Sequence, residues 1–187
     1  MKKIISFLLV VLMVNSWVFV YADVATSKAL ETVLIEVKSK VDIPAKFSEF
    51  TPYSNEYNGK TNYEFNWQTE DGNGSIDVGC DDEGRIYRYY FYDNSLKSEK
   101  KLTSLSKNDI INFAEDFLKK AVPEAFEKDN DLLCFDDNSW YVSNNSYRLT
   151  FVRKHYDAKV KDNFADLRII VYDDIAYVRN MSVNYNY

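Results

Sequence analysis

The chain of 187 residues contains few side chains that could act as a nucleophile with a neighbouring base. They are Cys80, Cys134 and the single histidine, His155. A Cys/His pair needs a thiol whose pKa is lowered by a helix N-terminus or by nearby cations. Cys80 instead continues an apolar strand pattern, and Cys134 lies in the apolar run 132–135. The sequence therefore favours two separate buried thiols over a disulfide, and it predicts a surface histidine and no catalytic residue.

Acidic side chains cluster at residues 81–83 and 136–137, where they could bind Ca²⁺ through oxygen ligands. Neither cluster matches the spacing of an EF-hand calcium loop. Aspartates also bond backbone N–H groups in turns, which explains both clusters. Nothing distinguishes two of the 29 acidic residues as the carboxylate pair of a glycoside hydrolase. We therefore expect no metal ion, no cofactor and no enzyme activity.

Tyrosines concentrate in residues 85–92, and aromatic residues make up 16% of the chain. A period of two divides them between the strand's two faces, with Tyr87, Tyr89 and Phe91 on one and Tyr90 and Tyr92 on the other. One set belongs to the core, and the other is either an exposed tyrosine-rich face or is covered by the rest of the chain. Exposed tyrosine rings suit sugars and peptides because they give contact area at little entropic cost. The candidate binding residues are Tyr87, Tyr89, Tyr90 and Tyr92.

These tyrosines lie on the second strand of a predicted hairpin. In its first strand Ile76, Val78 and Cys80 alternate with polar residues, as a half-buried strand requires. The turn at residues 81–84 ends in Gly84, which can take a positive φ without a Cβ clash. The hairpin is therefore the best-defined β element of the first half.

A further aromatic strand is predicted at residues 62–69, with a turn at 71–74 leading into the hairpin. The stretch before it has no regular alternation. We expect this stretch to be irregular and to cover one edge of the sheet with three aromatic side chains: Phe47, Phe50 and Tyr53.

Two helices are predicted from apolar stripes at helical spacing. The first covers residues 26–40 and ends before Pro44, because the residue preceding a proline is pushed out of the α region. The second covers residues 107–121. Ser106 is its predicted N-cap, with Asp109 in the place of a capping-box acid.

The second half of the chain repeats this order of elements. Its helix is followed by apolar alternation at Tyr147, Leu149 and Phe151, by a second alternation at Leu167, Ile169 and Val171, by a turn at 173–174, and by Tyr177 in the place of Tyr87. Short strands are predicted in addition within residues 132–135 and 140–142. A polar linker at 95–104 separates the halves. We predict an internal duplication, with modules at 23–96 and 97–187.

The N-terminal segment has the features of a secretory signal peptide. Lys2 and Lys3 precede an apolar run, and cleavage is expected before Asp23. The alternative is an uncleaved anchor, since the run approaches the length of a membrane-spanning helix. We therefore predict a signal peptide at residues 1–22 and an extracellular or cell-wall location, with membrane contact only through an uncleaved segment.

The net charge of the chain is −6. An acidic protein is repelled by nucleic acid and by anionic membrane surfaces. The sequence therefore excludes nucleic acid as a partner and leaves a secreted protein or cell-wall glycan as the expected one.

The pattern as a whole resembles the YcdB/YcdC repeated-domain family of bacterial secreted proteins, which is related in shape to PepSY domains. The resemblance is carried by a helix that closes on Ile-Pro or Val-Pro, the strand YEFNW, and I-x-V-x-x-D before an Asp/Gly turn. The second half departs from it, since Ile175 follows Asp174 where the pattern has glycine. The resemblance implies an α+β fold of tandem PepSY-like modules, each one helix packed on a three- to four-stranded antiparallel sheet.

The same resemblance implies no established activity. Together with the missing catalytic residues, it leads us to expect a secreted or cell-wall-associated, non-catalytic binding protein. Because PepSY domains occur in peptidase propeptides, a secreted peptidase that the chain binds or restrains is one expected partner. The alternatives are a module that binds cell-wall glycan and a surface hydrolase.

Overall fold

The computed structural model describes residues 28–57, 59–96, 104–127, 133–153 and 163–185. The predicted signal peptide, His155 and most of the linker lie outside these residues, as does the side chain of Cys134. The described helices are α1 (28–40), α2 (Lys107–Ala121) and α3 (Glu124–Glu127). The described strands are β1 (Glu49–Tyr57), β2 (Lys60–Gln68), β3 (Gly74–Asp81), β4 (Ile86–Asp93), β5 (Leu133–Phe135), β6 (Tyr141–Ser143), β7 (Ser146–Arg153), β8 (Asn163–Tyr172) and β9 (Ile175–Val183).

All of these strands belong to one sheet, in the order β1-β2-β3-β4-β9-β8-β7-β5, with β6 paired to β7. Every pairing is antiparallel. The two halves of the chain meet at β4 and β9, where Arg88, Tyr89 and Tyr90 are paired with Ser182, Met181 and Asn180. The sheet is therefore continuous across the predicted boundary between the halves.

The predicted fold class is wrong on this point. We expected tandem modules, each with one helix on its own sheet of three or four strands, and the structure has a single sheet that both halves build. A period of two shows which face of a strand is buried, but it carries no information on which strand lies beside it. The division of the chain at residues 96 and 97 remains a prediction.

Helices α1 and α2 cover one face of this sheet, which we call the core face. Their buried residues form one hydrophobic cluster with the inward side chains of the strands. On the helices these residues are Val33, Val37, Ile110, Ala114, Leu118 and Ala121. Helix α2 begins as predicted, because Ser106 Oγ accepts a hydrogen bond from the Asp109 N–H while the Asp109 carboxylate accepts one from the Ser106 N–H.

A buried lysine ties the two halves together outside the sheet. Lys40, at the end of α1, donates to the carbonyl oxygen of Gly84 at 3.0 Å and lies 3.7 Å from Glu124 on α3. The hydroxyl of Tyr185, which follows β9, is 2.9 Å from the same glutamate. The helix of the first half is thus bonded to elements of the second.

The prediction of an irregular stretch before β2 is also wrong. Residues Glu49–Tyr57 form the edge strand β1, paired with β2 over its whole length. Pro52 in its middle hides the strand pattern, but proline is tolerated on an edge strand where its missing N–H would face away from the sheet. Phe47 is buried and Phe50 packs on the rings of Phe65 and Trp67, as expected, but Tyr53 is 61% exposed and adds no cover.

Candidate functional site

The candidate site is the face of the sheet opposite the helices, which we call the open face. Its side chains alternate along the strands with the core residues and are mostly polar or aromatic. In the middle of this face is a concavity of about 830 Å³. The open-face side chains around it include Asp77 on β3, Arg88 and Tyr90 on β4, Asn180 and Ser182 on β9, Asp166 and Arg168 on β8, Ser146 and Arg148 on β7, and Tyr141 on β6.

A β-bulge puts Tyr87 on the open face. Gly79 is paired with Arg88 but Cys80 is paired with Ile86, so Tyr87 is an extra residue in β4. The prediction that Tyr87 shares a face with Tyr89 is therefore wrong. The ring of Tyr87 lies over Gly79, where a Cβ atom would come within 2.8 Å of it. Burial raises the pKa of Tyr87, and the Glu64 carboxylate beside it acts in the same direction.

A second bulge occurs at the corresponding place in the other half. Arg168 is paired with Asn180 but Ile169 is paired with Val178, so Arg179 is the extra residue. Arg179 thus takes the place of Tyr87, and the prediction that Tyr177 does so is wrong. A bulge shifts the alternation by one residue, and counting by twos along the sequence passes over it.

The four predicted binding tyrosines are divided by this geometry. Tyr89 is a core residue, edge-on to Phe117 of α2. Tyr90 and Tyr92 are half-buried, and the guanidinium of Arg179 lies 5.2 Å and 5.0 Å from the centres of their rings. Arg179 also donates a hydrogen bond of 3.2 Å to the Tyr90 hydroxyl. These ring faces are therefore already in contact with a cation.

Direct register partners form a row of side chains across the open face, which we call the central row. It runs from β6 to β1 through Tyr141, Arg148, Arg168, Asn180, Tyr90, Asp77, Asn66 and Thr51. Most of these residues are polar, and two adjacent ones are arginines. A ligand lying across the strands would meet mainly hydrogen-bond donors on its β6 side.

The carboxylates of the open face are held by neighbouring side chains. Asp77 accepts hydrogen bonds from the Asn66 amide at 2.6 Å and from the Ser75 hydroxyl at 3.3 Å. Asp166 accepts one from the Thr150 hydroxyl at 2.6 Å. Asp77 and Asp166 are therefore bonded by neutral donors.

Arginines on the same face differ in how their charge is compensated. Arg88 forms an ion pair with Glu64 on β2. Arg168 donates through Nε to the Ser146 hydroxyl at 2.7 Å, which is a neutral acceptor. Within the described residues, neither Arg148 nor Arg168 has an acidic partner. Two positive charges thus lie directly opposite each other.

The thiol of Cys80 does not belong to this face. Cys80 is a free, fully buried thiol on the core face. Burial, helped by the nearby Asp81 carboxylate, raises its pKa to about 12. In that state the thiol packs as an apolar side chain.

The acidic clusters are used in turns. The Asp81 carboxylate accepts hydrogen bonds of 3.0 Å from the N–H groups of Glu83 and Arg85, and Asp136 bonds the Asn138 N–H in the same way. In the described part of the chain, no three His, Cys, Asp or Glu side chains come together as metal ligands. These contacts agree with the interpretation of both clusters as turn residues.

Sequence reasoning missed the two opposed arginines. Both strands are predicted from their apolar positions, and the polar residues between these positions mark the other face. They are Ser146, Arg148 and Thr150 in one strand and Asp166 and Arg168 in the other. The sequence pattern does not give the register between β7 and β8, and it is this register that brings Arg148 opposite Arg168.

A family model described as "YcdB, YcdC repeated domain" matches residues 31–172, which is most of the chain. The chain belongs to this family. The resemblance expected from the sequence is therefore confirmed. Among curated proteins, none matches this YcdB/YcdC-family chain.

One solved structure that resembles this family member is the C-terminal domain of YpeB from Bacillus megaterium, with a TM-score of 0.54 and 14% sequence identity. The likeness covers 82% of this chain and 62% of that one, so the YcdB/YcdC-family chain spans less than two thirds of the YpeB structure. At this identity the likeness concerns the fold alone. Among the described helices, none combines the length and apolar character needed to cross a membrane.

Proposed function

We propose that this chain is an exported, non-catalytic binding protein that holds an extended polypeptide segment of a secreted partner on its open face. The observation that carries the proposal is the concavity of about 830 Å³ at the middle of the sheet, lined by guanidinium, amide, hydroxyl and carboxylate groups. Groups of this kind bind a polypeptide by hydrogen bonds and ion pairs without reacting with it. The buried, protonated Cys80 supports the non-catalytic part of the proposal.

The two edges of the sheet are less suited to capture a strand. β1 has Pro52 at its centre and a glutamate near each end, and both proline and charge oppose pairing with another chain. The opposite edge, β5, has three residues in the described part of the chain. The open face is therefore the better surface for an extended segment.

The size of the concavity sets the length of the segment. From Asp77 to Tyr141 the central row crosses six strands, or five spacings. At about 4.8 Å for each spacing this is about 24 Å, the length of about seven extended residues. A segment of this length is typical of a loop or a terminus of a folded partner.

A polypeptide is favoured over a glycan by the state of the tyrosines. Stacking on a sugar requires a free ring face, and Arg179 lies against both Tyr90 and Tyr92. The PepSY-like fold supports a secreted peptidase as the partner, because PepSY domains occur in peptidase propeptides. Cell-wall glycan remains the alternative, and the experiment must distinguish it from a polypeptide.

Photo-crosslinking from the open face tests the proposal. p-Benzoylphenylalanine is introduced in place of Asn180, which is exposed at the centre of the concavity. The matched control carries it in place of Asn112, which is exposed on α2. Both proteins are irradiated with the secreted and wall fractions of the producing cell, and the adducts are identified by mass spectrometry.

We expect one or a few polypeptides crosslinked from position 180 and absent from position 112. A carbohydrate adduct at position 180 would establish the glycan alternative instead. Equal adducts from both positions, or none from position 180, would contradict the assignment of the open face as the binding surface. Hydrolysis of the captured polypeptide or glycan by the purified chain would contradict the non-catalytic reading.

A further inference from the structure

We propose that Arg148 and Arg168 form a subsite for a carboxylate group on the bound polypeptide. The inference rests on the proposed function, because it names the chemistry that the open face recognises. The expected ligand group is an acidic side chain, or the C-terminal carboxylate, of an extended segment that crosses the central row.

The first support is the unfavourable position of the two arginines in the free protein. They are direct register partners on adjacent strands, so their Cβ atoms are about 5 Å apart. Like charges at such positions lower the stability of a sheet. A carboxylate between them would turn this repulsion into two charge-assisted hydrogen-bonded pairs.

The second support is that the surroundings do not compensate the charge. The next residues of the central row, Tyr141 and Asn180, are neutral. Asp166 is two residues from Arg168 on the same face, but its Oδ1 accepts the Thr150 hydroxyl, and no ion pair joins it to a described arginine within 4.0 Å. The described carboxylates near the arginines thus leave them available to a ligand.

The third support is that the concavity is lined by arginine rather than lysine. The chain has six arginines, and three of them line the concavity, where no lysine is found among the described lining residues. A guanidinium presents a planar fork of donors that matches a carboxylate in a bidentate arrangement, whereas a lysine is a point charge. This distribution indicates recognition of a planar anion in a chain that is acidic as a whole.

The test uses a minimal ligand whose charge can be removed without changing its shape. The probe is the heptapeptide acetyl-GSGEGSG-amide, and its control is the same peptide with glutamine at the centre. Binding to the purified chain is followed by NMR, through the arginine Nε–Hε signals. We expect the signals of Arg148 and Arg168 to shift with the glutamate peptide, at an affinity at least tenfold higher than with the glutamine peptide.

Inorganic phosphate is the second probe, since a phosphate would meet the same two guanidinium groups. If phosphate saturates these signals at a lower concentration than the glutamate peptide, the assignment to a carboxylate is overturned. If neither Arg signal responds to the glutamate peptide, the subsite itself is contradicted.

Arg148→Gln is the decisive variant, because Arg148 makes no hydrogen bond or ion pair with the described residues. We expect it to lower the affinity for the glutamate peptide about tenfold or more, and also to raise the melting temperature by about 1 to 3 °C by removing the like-charge contact. If Arg148 had a merely structural role, its replacement would lower both the affinity and the melting temperature. The control is Arg153→Gln on the same strand, whose guanidinium lies over the Phe164 ring outside the concavity, and it should leave the affinity unchanged.

The two proposals can fail separately. If position 180 crosslinks a polypeptide while Arg148→Gln changes neither the affinity nor the melting temperature, the carboxylate subsite is wrong and the open-face function stands. If the peptide binds through both arginines but position 180 captures no polypeptide, the subsite is retained and the proposed partner is wrong.

Discussion

At the scale of single residues, glycine decides where chain segments can touch. Gly84 ends the β3–β4 turn with a φ of +73°, and a Cβ added there would lie 2.6 Å from Cγ and 3.0 Å from Cβ of Glu36 on α1. Lys40 of the same helix donates to the Gly84 carbonyl. The close approach of the turn to α1 therefore requires both the positive φ and the missing side chain.

Gly84→Ala should lower the free energy of unfolding by about 2 to 4 kcal/mol, because it adds a steric conflict to the cost of a left-handed residue. Gly72→Ala is the matched control. Gly72 has a similar φ of +67° but no atom near its added Cβ. Gly72→Ala should therefore lower the free energy of unfolding by only about 1 to 2 kcal/mol. Urea unfolding of both variants measures the difference, and equal losses would show that α1 does not contact the turn as described.

At the scale of elements, patterns of burial were predicted well and their exceptions were not. Helix α2, strand β3 and the apolar alternation of β7 agree with the sequence, because apolar side chains at regular spacing specify a buried face. The bulges at Tyr87 and Arg179 broke that spacing, and Pro52 concealed β1. Bulges and edge strands depend on neighbouring strands, so a single-strand pattern does not reveal them.

The packing of helix α2 gives a prediction at this scale. Leu118 is fully buried on the core face, whereas Phe117 is half-buried and touches the Tyr89 ring by its edge. Leu118→Ala should cost about 2 to 5 kcal/mol in unfolding free energy, as expected for a cavity in a packed core. Lys119→Ala, at an exposed position, should change it by less than about 0.5 kcal/mol. Similar losses in both variants would mean that α2 presents a different face to the sheet.

At the scale of the whole molecule, the pairing of β4 with β9 makes one sheet and hence one open face. This contact could not be predicted, because nothing in the sequence of Arg88, Tyr89 and Tyr90 specifies Ser182, Met181 and Asn180 as their partners. The concavity depends on it, since its lining residues come from both halves. The candidate arginine site was likewise hidden until the strand register was known.

Met181→Ala tests whether the two halves unfold together. Met181 is buried on β9 opposite Tyr89, so its truncation should lower the stability by about 2 to 5 kcal/mol. Because the sheet is continuous, hydrogen exchange should become faster in both β3 and β7. Faster exchange in β7 alone would mean that the halves are independent in spite of the shared sheet.

The most direct test of the account combines the open face with its arginines. Crosslinking from position 180 is repeated in the Arg148→Gln/Arg168→Gln background, with position 112 as the control. We expect the polypeptide adduct at position 180 to be strongly reduced in the double variant and to remain absent at position 112. An adduct at position 180 of undiminished yield would contradict recognition of the partner through the two arginines.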